Sequence, residues 1–71
     1  MADVAILDAV ALLRDMPELG LVRGQVGAVV DDAGGVEVLV EFTDADGRTI
    51  AMPSLPRIDL LALREAPIAA E

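Results

Sequence analysis

A small all-β domain, folded as a five-stranded and strongly bent antiparallel barrel, is the architecture this sequence predicts. Three observations predict it. Short runs rich in β-branched residues recur along the chain. Turns built from Gly, Asp and Pro separate them at regular spacing, and a proline-bounded link precedes the last run. In Pro17-Glu18-Leu19-Gly20-Leu21-Val22-Arg23-Gly24-Gln25-Val26-Gly27-Ala28-Val29-Val30, glycines at spacings of four and three lead straight into such a run. Lacking a Cβ, they mark a chain that bends sharply before a strand of a tightly curled sheet.

The first segment, Val4 to Arg14, reads two ways. As a helix it places Val4, Leu7, Val10, Ala11 and Arg14 on one face, with Asp3 as cap. As a strand, Asp8, Val10 and Leu12 alternate with Leu7, Ala9, Ala11 and Leu13. Periodicity alone does not arbitrate so short an apolar run, and Pro17 ends either element. Val26–Asp31 reads as a strand, and Asp32-Ala33-Gly34-Gly35 as a turn. Val36–Phe42 alternates cleanly: Val36, Val38, Val40 and Phe42 share one face, and Glu37, Leu39 and Glu41 the other. Asp44-Ala45-Asp46-Gly47 signals a hairpin, with Asp-Gly supplying positive-φ positions. Thr49–Met52 reads as a further strand. Pro53-Ser54-Leu55-Pro56 interrupts it, because two prolines do not fit a central ladder. Ile58–Leu63 reads as the last strand. A barrel of the SH3-like type accommodates this order. One domain spans 1–71, its core over about 6–64, with 65–71 as a loose tail.

Composition narrows the function classes. A chain of 71 residues buries only roughly 60% of the surface its unfolded form exposes, so a partner or a second copy would add stability. Apolar residues make up 55% of the chain, yet Phe42 is the single aromatic. The core must therefore be built from Val, Leu, Ile, Ala and Met around it. The chain has no Cys, which excludes a disulfide framework, a thiol nucleophile and a zinc–thiolate site. It has no His, the side chain most used in acid–base catalysis and metal binding. Thirteen acidic residues face five arginines, a net charge of −8. That charge opposes binding to phosphate backbones and favours a basic partner. The longest apolar run is about five residues, far below a membrane span. No basic segment follows Met1, so no signal peptide is expected. Absence of lysine and abundance of Ala and Val point to a GC-rich bacterial genome, and the absence of disulfides to a cytoplasmic location.

Leu7-Asp8-Ala9-Val10-Ala11-Leu12, then Asp15-Met16-Pro17-Glu18-Leu19-Gly20-Leu21, Arg23-Gly24-Gln25-Val26-Gly27-Ala28-Val29-Val30 and Val40-Glu41-Phe42-Thr43-Asp44-Ala45-Asp46-Gly47-Arg48-Thr49 together resemble a family of short bacterial proteins defined as a domain of unknown function. The resemblance covers roughly residues 6–63 and implies an SH3-like barrel. It favours a strand over Leu7–Leu13 against the helical pattern. Where the family often carries Thr and an aromatic, this chain has Ala28 and Ile50, and loss of the aromatic weakens any stacking surface. The Gly24-x-x-Gly27 piece is also similar, at the level of fold, to barrels of ribosomal and transcription proteins and of the nitrile hydratase β subunit.

Each candidate site has an ordinary alternative. Asp44-x-Asp46-Gly47 begins like a calcium loop, but Arg48 and Leu55 stand where that loop needs an oxygen ligand and a Glu; a hairpin turn is the expectation. Asp31, Asp32, Glu37 and Glu41 gather carboxylates on adjacent strands, with a solvated acidic face as the ordinary reading and a basic protein as its natural partner. Pro53-Ser54-Leu55-Pro56-Arg57 resembles a polyproline ligand, yet falls where a short helical turn joins the last strands of such a barrel. Arg23 and Arg48 sit beside glycine turns and suit either an anion or a salt bridge, Arg48 with Asp44 or Glu18. The expectation is a non-catalytic, cofactor-free protein-binding module docking on a partner, such as an antitoxin, immunity protein or accessory subunit. Its binding residues are expected to include Arg23, Asp31, Asp32, Glu37, Glu41 and Arg48. Self-association through Leu60–Leu63 fits the same picture. The alternative is a nucleic-acid or ribosome-associated module using Gly24-x-x-Gly27. No metal site and no catalytic set is expected.

Overall fold

Alternation of large apolar with small or polar residues lays down the strands of this computed structural model, which describes residues 4–32 and 35–63. β1 is Ala9–Leu12, β2 Val26–Asp32, β3 Glu37–Thr43, β4 Thr49–Ala51, β5 Ser54–Pro56 and β6 Leu60–Ala62. Short 3-10 turns occupy Pro17–Leu19 and Arg57–Asp59. All pairings are antiparallel, in the order β4-β3-β2-β1-β6, with β5 also on β3. The fold is therefore all-β, as the sequence predicts; among the described residues the sheet path is open.

The expected five strands become six because of one proline. Pro53 accepts a hydrogen bond from the Val40 amide at 2.9 Å, but has no N–H to return. The gap divides a single run along β3 into β4 and β5. Far from leaving the sheet at Pro53-Ser54-Leu55-Pro56, the chain keeps pairing, with Ser54 opposite Leu39 and Pro56 opposite Glu37. Pro56 is tolerated because β5 lies at the sheet's margin, where a missing donor costs no ladder bond. The helical turn follows this segment instead of replacing it, and β6 starts at Leu60, two residues later than Ile58.

β1 is a strand, but shorter than Leu7–Leu13. The chain turns before it, with Leu7 at φ 75° and the Leu7 amide donating to Val29 O at 2.7 Å. The inner faces supply the core: Val10 and Leu12 from β1, Val29 from β2, Val38, Val40 and Phe42 from β3, with Leu55 and Leu60. Val4, Met16 and Leu21 close it from the connecting segments. Val36, expected on the core face, is 80% exposed because β3 begins one residue later, at Glu37. The expected tail at 65–71 and the centre of the Asp32–Gly35 turn lie outside the described residues. No described helix is long and apolar enough to cross a membrane.

Candidate functional site: the outer face of the sheet

Side chains alternate across a strand, so the residues between the core positions share the outer face. Register fixes their rows. Leu61, Ala11 and Val26 stand side by side across β6, β1 and β2. In the next row Ala9 faces Ala28, and Ala28 faces Glu41 on β3. Leu63 joins that row by donating from its amide to Ala9 O at 2.9 Å. Leu13 continues the outer side of β1. Leu13, Val26, Leu61 and Leu63 are 44, 53, 52 and 41% exposed, so this half of the face is an apolar surface open to solvent. Its middle is floored by alanines, making a shallow trough.

The other half, on β3, is acidic and hydroxylated. Glu37 accepts a hydrogen bond from Ser54 Oγ at 2.9 Å, and Glu41 accepts one from Thr49 Oγ1. Each carboxylate is thus pinned across the strand pair while keeping further lone pairs for a donor from outside. Four residues of extended chain separate them by roughly 13 Å. Asp31 is exposed and stands opposite Leu39 on the same side.

Asp32 does not join this group. A register shift between Val29 and Asp31 places it opposite Val38, whose side chain is buried, and its carboxylate is taken by Arg57 Nη2. Arg57 also donates from Nε to Gly35 O at 3.0 Å and from Nη1 to Val4 O at 2.9 Å. One guanidinium therefore ties the N-terminal segment, the β2–β3 turn and the 3-10 turn together. The polyproline-like motif ends in a structural clamp. Among the described residues no three acidic side chains are disposed to hold a metal ion.

Arg23 and Arg48 are exposed, and their expected salt bridges are replaced by main-chain contacts. The Arg23 amide donates to Asp15 Oδ1 at 2.8 Å, and the Arg48 amide to Asp44 Oδ1 at 3.0 Å. Asp44 Oδ1 also accepts from the Asp46 amide at 2.9 Å, the local pattern of an Asp-initiated turn. Asp44-Ala45-Asp46-Gly47 is thus the hairpin expected, with Gly47 at φ 84°. Ion pairs within the described fold join Arg14 to Asp59, at 3.0 Å, and Arg57 to Asp32.

The glycines of Gly24-x-x-Gly27 have separate tasks. Gly24 has φ 89° and turns its amide onto Leu12 O at 2.8 Å, in a conformation costly for any residue with a Cβ. Gly27 lies under Phe42: a Cβ there would come within 2.8 Å of both the ring and Glu41 O. Both serve the fold. What sequence reasoning missed is the apolar half of the outer face, although the alternation Ala9, Ala11, Leu13 carried the signal. It also missed Arg57, whose partners come from distant segments with no local pattern to announce them.

Taken together, fold and surface define a small antiparallel β domain whose outer sheet face is divided into an apolar and an acidic half. The chain belongs to the family described as a domain of unknown function (DUF4926), whose model matches residues 6–62. No curated protein and no solved structure matches it.

Proposed function

We propose that this domain is a non-catalytic binding module that docks a basic protein on the outer face of its sheet. The observation that carries this reading is the row Leu63–Ala9–Ala28–Glu41, which runs from exposed apolar surface directly to a carboxylate. A partner with an apolar ridge flanked by Arg or Lys fills the alanine trough and meets Glu41, Glu37 and Asp31 beside it. Exposed apolar patches of this kind mark interaction sites, and the net charge of −8 steers a cationic partner toward it. An antitoxin, an immunity protein or an accessory subunit fits such a role, and the lack of cysteine suits a reducing cytoplasm. The nucleic-acid reading gains little from Gly24 and Gly27, whose geometry is spent on the fold.

The test is affinity purification of the tagged chain from its own host, in parallel with Ala11→Arg. A stoichiometric basic protein retained by the parent and lost with Ala11→Arg supports the proposal. Recovery of no stoichiometric protein counts against it, and recovery of RNA or ribosomal proteins favours the alternative.

A further inference from the structure

The two margins of the sheet are built differently. Along β4 and β5 the margin carries Pro53 and Pro56, and the pairing of β3 with β4 shifts register between Phe42 and Thr43. Prolines and irregular pairing are the usual devices that stop a sheet from adding strands. At the other margin β6, Leu60–Ala62, pairs with β1 and with no other described strand. Leu60–Leu63 contains no proline, no charge and no register shift.

Hydrogen-bond parity shows which groups face outward. Leu13 donates to Asp59 O and Leu63 donates to Ala9 O, at 2.9 Å each. Leu61, midway between Asp59 and Leu63 and opposite Ala11, therefore directs its N–H and C=O toward β1. The N–H of Ala62 and the carbonyls of Leu60 and Ala62 point away from the sheet. The Leu60 amide is already used by Arg57 O.

We infer that β6 pairs antiparallel with β6 of a second copy. Charge selects this occupant. A chain of net charge −8 repels its own copy over most of its surface. The β6 seam is neutral, and the adjacent Asp59 is compensated by Arg14 at 3.0 Å. A basic partner, drawn to carboxylates, has none to meet on β6. An antiparallel two-fold is also the arrangement in which one strand complements itself, each Ala62 amide meeting a carbonyl of the other copy. Leu61 of the two copies would then lie close together, and both outer faces would be on the same side of one continuous sheet. This pairing does not depend on the basic-partner reading.

Sedimentation equilibrium of the purified chain into the high-micromolar range tests it. The expected mass is twice that of the chain. Ala62→Pro removes the outward donor without touching a β1 bond, and is expected to weaken the dimer roughly tenfold or more. Hydrogen exchange of the unsubstituted protein gives a second reading that needs no variant. The Ala62 amide should gain protection as concentration rises, while exposed amides of the β3–β4 turn should not. A monomer throughout the range overturns the inference. So does a dimer that persists undiminished in folded Ala62→Pro, or a dimer in which Ala62 protection does not change with concentration.

Discussion

Gly27 leaves no room for a methyl group. Its missing Cβ is the space filled by the Phe42 ring and approached by the Glu41 carbonyl, both at 2.8 Å from where that atom would stand. Gly27→Ala must therefore displace backbone or the largest core side chain, and is expected to cost about 1–3 kcal/mol, read as a lower urea midpoint with unchanged slope. Arg57 acts at the same scale through polar contacts. Its three nitrogens reach Gly35, Val4 and Asp32, a fork that an ammonium group does not reproduce. Arg57→Lys should lose about 1–3 kcal/mol in the same assay. A lysine variant as stable as the parent would show that the clamp contributes nothing. Leu7 is the opposite case: 83% exposed and at φ 75°, it holds a backbone conformation that a side chain disfavours. Leu7→Gly should raise stability by roughly 0.5–1 kcal/mol, since relief of left-handed strain outweighs the added freedom of the unfolded chain.

Among elements, the β3–β4 hairpin is the most local, and its turn was the most legible. Asp44 and Gly47 announce it, and Asp44 Oδ1 accepts two amides there. Asp44→Ala should cost about 1 kcal/mol in thermal unfolding, and Asp44→Asn much less, because the amide oxygen retains the acceptor. Strand identity was equally readable for β2 from its β-branched content, and for β3 the inner face was readable too, where Val38, Val40 and Phe42 alternate with Glu37, Leu39 and Glu41. Legibility fell at strand ends. Leu7 and Val36 fit the alternation but lie outside the strands, each held by a single backbone bond, and composition does not record where a strand stops. Pro53 misled because proline signals loss of a donor, whereas its carbonyl still holds the ladder to Val40. Of the candidate site, Glu37 and Glu41 were placed on one face by period two. Asp32 was lost to that face by a register shift that only the pairing with β3 reveals. The apolar half of the face was hidden because Ala9, Ala11 and Ala28 read as neutral filler until the pairing of β1 with β2 brings them together.

At the level of the whole molecule, charge dominates. With 13 acidic residues against five arginines, and two of those arginines tied within the described fold, the folded chain repels itself. Raising ionic strength from about 0.01 M to about 0.15 M shortens the screening length from roughly 30 to 8 Å. The melting midpoint should rise with it. A gain of roughly 1 kcal/mol corresponds to about 4–8 °C in a domain of this size, and a midpoint that falls with salt would show attractive pairs outweighing the repulsion. The packing of Phe42 against Gly27 reaches beyond stability. With no Trp or Tyr, the molecule is nearly transparent in the near ultraviolet, and tertiary structure leaves almost no optical signature. Its one ring, stacked over a backbone that carries two α-protons, makes a magnetic reporter instead. The ring current should move the Gly27 α-protons far from their random-coil positions and make them inequivalent, so a single resonance pair registers whether the core of the sheet is assembled.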